Sequence, residues 1–124
     1  MMNHQIVAGR HTVLSIDDLA VLRANLEEQR LFRQEQLQQI AGAATVRTVA
    51  APERQAASQL AVRDKLAASA RMVLADVEAA LTRMDQGRYG ACHLCRGPIA
   101  RERLMIVPQA RYCARCQQVK EAGR

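Results

Sequence analysis

Apolar residues follow a helical spacing over residues 16–40. The stripe starts with steps of three or four residues and resumes after a polar gap, at Ile16, Leu19, Leu22, Leu26, Leu37 and Ile40. Ser15 and Asp18 are arranged like a helix N-cap followed by an acid at the third helical position. Gly42 suits the C-terminal end of such a helix. The pattern therefore predicts a helix from about residue 16 to residue 41.

A second apolar stripe alternates steps of four and three residues, which keeps it on one face of a helix. Its members are Leu66, Ala70, Val73, Val77, Ala80 and Met84. Pro52 is tolerated in a first helical turn, and Glu53 would favour the positive end of the helix dipole. Gly87 is the residue that would end this helix. We expect the second helix to extend from about residue 52 to residue 86.

The connection between the two predicted helices is short and rich in small residues. Neither helix can bury its stripe alone, so the two should be antiparallel neighbours. We predict an elongated helical hairpin, a coiled coil, over residues 15–86 with its tip near 42–54. Residues 1–14 remain as an N-terminal extension without a predicted element. The alternative is a bundle formed by dimerisation, to which each chain contributes two helices.

The composition also favours paired helices. Aromatic residues make up 2% of the 124 positions, so a core must be built from Ala, Leu, Val and Met. No stretch approaches the ~20 apolar residues of a membrane span. The N-terminal segment lacks the continuous apolar region of a signal peptide. We therefore expect a cytoplasmic protein with no membrane contact.

The positive charge is concentrated at the C-terminal end. Residues 87–124 contain eight basic and two acidic residues, which accounts for the whole net charge of +6. This basic segment predicts a partner that presents acidic protein surface or phosphate. The alternative is that the arginines offset a metal centre, since four thiolates and one Zn²⁺ sum to −2.

Four cysteines form two Cys-x2-Cys pairs separated by seventeen residues, at Cys92, Cys95, Cys113 and Cys116. Each pair can aim two sulfurs at one ion from a tight turn, and two pairs complete a tetrahedron with no open position. The pattern therefore predicts one structural Zn²⁺, which would supply folding energy that so small a segment cannot obtain from burial.

Other interpretations of the cysteines are weaker. Disulfides need an oxidising compartment, and no secretory segment is predicted. A thioredoxin-type dithiol uses one Cys-x2-Cys pair after a strand, whereas this chain has two matched pairs. His93 lies inside the first turn, where it is expected to be solvated and not to be a ligand. No Ser/His/Asp set, paired carboxylates or phosphate-binding glycine loop stands out, so no enzyme is predicted.

The C-terminal segment GRYGACHLCRGPIARERLMIVPQARYCARCQQVKE resembles the DksA/TraR family of bacterial transcription regulators. The matching features are Gly87, Tyr89-Gly90, Gly97, Ile99, Arg103-Leu104, Pro108, Ala110 and Cys113-x2-Cys116-Gln117. The resemblance implies a mainly α fold, in which a long antiparallel helical hairpin precedes a small four-cysteine zinc finger and a short C-terminal helix over residues 87–124.

The resemblance also implies a mechanism based on shape. Family members bind RNA polymerase, with the hairpin in its secondary channel, and alter the lifetime of promoter complexes without reading a DNA sequence. The finger and the C-terminal helix contact the polymerase rim. The basic finger residues expected to bind the partner here are Arg101, Arg103, Arg111 and Arg115.

This chain departs from the family pattern at two places. Well-studied members carry acidic residues at the tip, whereas Glu53 is the one acid in the VAAPE segment here, flanked by Arg47 and Arg54. The tip residues expected to face the partner are these three. Some members also help to bind guanosine tetraphosphate, but the corresponding Asp76, Val107 and Gln117 are not cationic. This argues against dependence on that nucleotide unless Arg103, Arg111 or Arg115 compensates.

Two other functions remain open. The first alternative is a GATA-like DNA-binding finger, since GATA-type fingers share the cysteine spacing. Those fingers have a characteristic Trp and a different second pair, whereas this chain has no Trp and contains Cys-Ala-Arg-Cys. Sequence-specific DNA contact is therefore not the primary expectation. The second alternative is an adaptor in which the finger and the hairpin join proteins other than polymerase.

Overall fold

The computed structural model describes residues 5–8, 12–46 and 53–123. Two short strands, β1 (Gln5–Ala8) and β2 (Thr12–Ser15), precede two long helices, α1 (Ile16–Val46) and α2 (Glu53–Asp85). Two short helices follow, α3 (Arg101–Ile106) and α4 (Ala114–Ala122). The predicted mainly helical fold with a long hairpin and a C-terminal finger is confirmed.

The first element is a β-hairpin that the sequence pattern did not predict. β1 pairs with β2 in antiparallel register, with Gln5 opposite Ser15 and Ala8 opposite Thr12. β2 leads directly into α1, and its Leu14 is 1% exposed in the core. The N-terminal extension therefore contributes a strand and a core residue to the base of the helical hairpin.

α1 begins at the predicted capping box. Asp18 N–H donates to Ser15 Oγ (2.9 Å), and Ser15 N–H donates to Asp18 Oδ2 (3.1 Å). The prediction that Gly42 caps the C-terminal end is wrong, because α1 continues through it to Val46. The alanines that follow Gly42 are strong helix formers, and they extend the helix past a residue that costs only about 1 kcal/mol there.

α2 begins at Glu53 and ends where the sequence predicted. Gly87 has φ +73°, its N–H donates to the Met84 carbonyl (3.1 Å), and Arg88 N–H donates to the Arg83 carbonyl (2.8 Å). This pair of bonds is the Schellman motif, with glycine in the left-handed position that it tolerates best. The chain then turns away from the helix axis into the cysteine segment.

The two long helices contact each other along the predicted stripes, but only part of each stripe is buried. Leu22 and Leu26 of α1 face Val77 and Ala80 of α2, and all four are at most 1% exposed. Two predicted core residues are wrong: Ile16 is 52% exposed and Leu66 is 50% exposed. In α2 the neighbouring Ala67 is buried instead.

The core lies where the base of the hairpin meets the finger. One cluster of buried residues joins β2, both long helices and the finger, at Leu14, Leu22, Leu26, Val77, Ala80, Leu81, Tyr89, Cys92, Ile99, Leu104 and Ala110. The finger therefore does not form a separate core after the end of α2. It covers the apolar side chains that the two helices leave open at their base.

Candidate metal centre

The cysteine centre is formed by two turns that face each other. One sulfur from each of Cys92, Cys95, Cys113 and Cys116 lies within 4.8 Å of the other three. The first pair lies in a turn closed by the Ala91–Pro98 bridge, and the second pair begins α4. The four residues that the sequence proposed as metal ligands therefore come together as one cluster.

Backbone N–H groups point at the sulfurs. Leu94 N–H donates to Cys92 Sγ (3.4 Å), Gly97 N–H to Cys95 Sγ (3.4 Å) and Cys116 N–H to Cys113 Sγ (3.5 Å). The turn that makes this possible is tight, since Arg96 has φ 63°. A Cβ on Gly97 would lie 3.4 Å from Cys95 Sγ. Because N–H donors stabilise negative sulfur, the turns suit thiolates better than thiols.

The same contacts separate the proton affinities of the thiols. Burial raises the pKa of the Cys92 thiol, but hydrogen bonds from the backbone N–H groups of Cys95, Cys113 and Leu94 outweigh burial and lower that pKa to about 6. Burial and hydrogen bonds to the other three thiols raise the pKa of Cys116 to about 12. Four sulfurs this close together therefore need positive charge among them, which protons or a bound metal cation can supply.

The geometry fits a tetrahedral ion. With Zn–S bonds of about 2.3 Å, the sulfurs of a regular tetrahedron are roughly 3.8 Å apart, and the distance between Cys95 Sγ and Cys113 Sγ is 3.9 Å. Four thiolates are the ligands that soft or borderline metals prefer. His93 is exposed and is not part of the cluster, as predicted. The four cysteines thus form a cluster that could hold one metal ion with all four positions supplied by protein.

Polar contacts fix the finger around this site. The buried Tyr89 hydroxyl donates to the Pro108 carbonyl (2.8 Å), and Arg103 Nε donates to the Tyr112 carbonyl (3.0 Å). Tyr89 is 3% exposed, so its hydroxyl would be costly to bury without this acceptor. These bonds connect the residue before the first cysteine turn, and α3, with the segment that leads into the second turn.

Two of the basic residues predicted to contact a partner also tie the finger to the long helices. Arg101 binds Asp18 at the start of α1, with Nε to Oδ2 at 3.1 Å and Nη2 to Oδ1 at 2.9 Å. Arg111 binds Asp76 of α2, with Nε and Nη2 each 2.9 Å from Oδ1. Both arginines therefore have a role inside the molecule, whatever partner they meet.

Arg115 differs from the other three predicted arginines. It lies on the exposed side of α4, and its side chain has no hydrogen bond or ion pair within the described part of the chain. At the other end of the molecule, Glu53 and Arg54 lie in the first turn of α2, and Arg47 lies outside the described residues. The roles of all these residues toward a partner stay predictions.

Sequence reasoning missed the acidic partners of the finger and one buried arginine. Asp18 was predicted as a capping residue only, and Asp76 was considered only as a position that lacks a cation. Arg83 is 6% exposed, although it belongs to a helix whose predicted stripe contains no charge. The sequence did contain a signal that Asp76 lies near the core, because it precedes the stripe residue Val77. Its partner Arg111 could not be predicted, since it is 35 residues away.

Comparisons with known proteins support both parts of this description. Residues 87–122 match the family model of the prokaryotic dksA/traR C4-type zinc finger. Over 86% of the chain, the fold superimposes on transcription factor DksA2 from Pseudomonas aeruginosa, covering 85% of that chain with a TM-score of 0.75 and 23% identity.

An uncharacterized protein of Aquifex aeolicus (strain VF5) is 38% identical over 48 residues. That match covers 39% of this chain and only 33% of the relative's length.

The molecule is thus a helical hairpin on a four-cysteine zinc finger. The resemblance stated from the sequence is confirmed: residues 87–122 match the DksA/TraR zinc-finger model, and the fold is similar to that of DksA2. Among the described residues, no helix is both long enough and apolar enough to cross a membrane.

Proposed function

We propose that this protein is a bacterial transcription regulator that acts in the cytoplasm and binds RNA polymerase through its secondary channel. The observation that carries the proposal is the long hairpin mounted on a rigid base, with a DksA2-like arrangement over 86% of the chain. With 31 and 33 residues, α1 and α2 reach roughly 46 and 50 Å from the base. Such a probe can enter a deep channel while its base stays at the rim.

The zinc finger serves this function as the base of the probe. We propose one structural Zn²⁺ per chain, with Cys92, Cys95, Cys113 and Cys116 as its ligands. When bound, the ion crosslinks the two cysteine turns. The protein's own contribution is to orient the sulfurs with backbone N–H groups and to join the finger to the helices through Arg101 and Arg111.

The charges of the finger support a division of labour among its arginines. Arg101 and Arg111 hold the finger on the hairpin, and Arg103 donates to the Tyr112 carbonyl inside the finger. The Arg115 side chain is exposed and unpaired within the described residues. Arg115 is therefore the best of the four to supply an electrostatic contact with an acidic polymerase surface. If the protein binds one state of the promoter complex more tightly than another, it shifts the populations of these states by that difference in affinity. This mechanism needs neither catalysis nor recognition of a DNA sequence.

The shallow groove beside the finger does not suggest a nucleotide site of the kind found in some relatives. Asp76, Val107 and Gln117 line it together with Arg103 and Arg111. The Arg111 guanidinium is paired with the Asp76 carboxylate, and Arg103 donates to a backbone carbonyl. Because both cations have internal acceptors and an acid faces the groove, we propose that regulation does not depend on guanosine tetraphosphate.

The binding test is direct. Purified protein should co-elute with core RNA polymerase and should compete with another factor that enters the secondary channel. Arg115→Gln should weaken binding and reduce its dependence on salt, because it removes one exposed charge. Arg115→Lys, which keeps the positive charge at the same position, is the matched control and should retain both the binding and its dependence on salt. Absence of binding at low salt would overturn the proposal.

The tip is tested by a transcription assay. The protein should change the lifetime of promoter complexes, and replacing residues 47–54, which include Arg47, Glu53 and Arg54, should alter that effect while binding persists. If the replaced protein acts like the original, the tip is an inert connection. If neither protein changes transcription although both bind, the regulatory part of the proposal is wrong.

A further inference from the structure

A basic cleft lies at the junction of α2 and the first cysteine turn. It encloses about 450 Å³, within the size range of small-molecule sites, and Arg83, Arg88, His93 and Arg96 line it. No carboxylate of the described residues lines the cleft. Three guanidinium groups thus share one concave surface, and the acid that acts on Arg83, Asp76, does not line the cleft.

Arg83 is the central observation. It is only 6% exposed, and burial together with the nearby Arg111 and Arg88 lowers its pKa. Its hydrogen bond is a long one, 3.4 Å from Nη2 to the Ala110 carbonyl. A buried cation normally has an acidic partner or several hydrogen bonds. Here it borders a cleft in which an anion would supply both.

The other two arginines are also available to a ligand. Arg88 donates to the neutral Gln86 Oε1 from Nε and Nη2, so no acid competes for its charge. The Arg96 side chain has no hydrogen bond or ion pair within the described residues, and Arg96 lines the cleft. His93 adds a ring that can donate a further hydrogen bond.

The metal centre is the obvious competitor for these cations, because Cys92 also lines the cleft. However, the sulfurs receive their N–H donors from Leu94, Gly97 and Cys116. No arginine of the described residues donates to a sulfur. The thiolates are therefore stabilised by backbone, which leaves the guanidinium groups free to bind another anion.

We propose that this cleft binds a phosphate dianion, either free or as the terminal group of a small phosphomonoester. Three planar guanidinium groups match a doubly charged, tetrahedral oxyanion better than a single carboxylate, because each can donate to a different oxygen. The ligand would bridge the end of α2 and the first cysteine turn, which stabilises their junction. This site does not depend on whether the protein binds RNA polymerase.

The test uses the full zinc-loaded chain and NMR titration at constant ionic strength. Inorganic phosphate should give saturable shifts of the Arg83 side-chain Nε–H and of the backbone amides of residues 91–96. Glycerol 3-phosphate in a parallel titration distinguishes the sources: tighter binding indicates a phosphomonoester, and equal or weaker binding indicates free phosphate. Acetate should give no saturable shift, and acetate binding equal to that of phosphate would overturn the assignment.

The variant Arg88→Gln/Arg96→Gln should weaken phosphate binding by about tenfold or more, since each lost charged hydrogen bond is substantial. Both residues are exposed, so the fold and the zinc content should persist. Lys65→Gln/Arg71→Gln removes the same charge from the exposed face of α2 and should leave phosphate affinity unchanged. If the first variant binds phosphate normally but holds zinc less tightly, the arginines serve the metal centre and the proposal is wrong.

Discussion

The two halves of the helical hairpin differ in what covers their apolar side chains. In the finger-side half (residues 16–30 and 67–85), five apolar side chains are at most 1% exposed: Leu22, Leu26, Ala70, Val77 and Ala80. In the distal half (residues 31–46 and 53–66), none of the side chains described, at 31–42 and 57–66, is buried. Large apolar residues there are 50–58% exposed: Leu31, Phe32, Leu60, Val62 and Leu66.

This difference shows where the stability of the hairpin originates. Two helices alone present a narrow contact, and within the described residues β2 and the finger cover both helices at their base. The distal half should therefore open at a lower free energy than the base, because few of its apolar contacts are buried. Its exposed apolar surface, including the groove lined by Ile40, Val62 and Leu66, is where a partner would gain most by covering it.

Removing the metal should cause the largest loss of stability, because the finger that buries the base of the hairpin would unfold. Cys92→Ser, or a strong chelator, should cost on the order of 10 kcal/mol of folding free energy if the ion is Zn²⁺. Elemental analysis and thermal unfolding followed by circular dichroism measure the result. His93→Ser, a change at an exposed neighbour, is the control and should retain zinc. A variant without zinc that unfolds at the original temperature would contradict the structural role of the metal.

A charge placed in each half of α2 tests the comparison directly. Val77→Asp buries a carboxylate with no partner at a residue that is 0% exposed, and it should destabilise the protein by about 4 kcal/mol or more. Val62→Asp makes the same change at a residue that is 58% exposed, and its effect should stay within about 0.5 kcal/mol. Urea unfolding measures both. Equal losses would mean that the two halves are equally covered.

The link between the finger and α1 should depend on pH through Asp18. The hydrogen bond from Arg101 is the largest cause that lowers the Asp18 pKa from 3.8 to about 2. Because the pKa is depressed in the folded state, the contribution of Asp18 is complete above pH 3.8 and is lost as the pH falls toward 2.

Asp18→Asn should therefore lower the urea midpoint at neutral pH, and the difference from the unchanged protein should shrink as the pH falls through that window. Asp17→Asn, at the exposed neighbouring position, is the control. A difference between Asp18→Asn and the unchanged protein that stays constant down to about pH 2 would show that the carboxylate charge does not matter.

The smallest expected effect compares glycines at the two ends of the hairpin. Gly42 lies inside α1 in the distal half, and a Cβ there meets nothing within 4 Å. Gly42→Ala should stabilise the protein by about 0.5–1 kcal/mol. Gly87→Ala should instead destabilise it by about 1–2 kcal/mol, because its φ of +73° is strained for alanine. Thermal melting of the two variants should shift in opposite directions.

Local signals explain most of what the sequence predicted correctly. The Ser15–Asp18 capping box, the glycine at the end of α2 and the two cysteine pairs each act over a few residues, and each formed as expected. The error at Gly42 has the same origin, since a glycine is a C-cap only where the following residues cannot continue the helix.

Long-range contacts were the part that could not be predicted. Arg101 and Asp18 are 83 positions apart, and Arg111 and Asp76 are 35 apart. Charge counting assigned these arginines to a partner because no local pattern pairs them with an acid. The burial of Leu14 escaped for the same reason, since a four-residue strand without strong alternation carries little signal of its own.

The core that unites hairpin and finger has a consequence for how this chain could be recombined with its relatives. In the sequence, Gly87 resembles a boundary between two segments, at which one finger could be exchanged for another. In the folded molecule, Tyr89, Ile99 and Leu104 of the finger share one cluster with Leu14 and Leu22. A chimera joined at residue 87 would inherit mismatched surfaces on both sides of the boundary. A successful graft must carry the N-terminal strand and the first turns of α1 together with the finger.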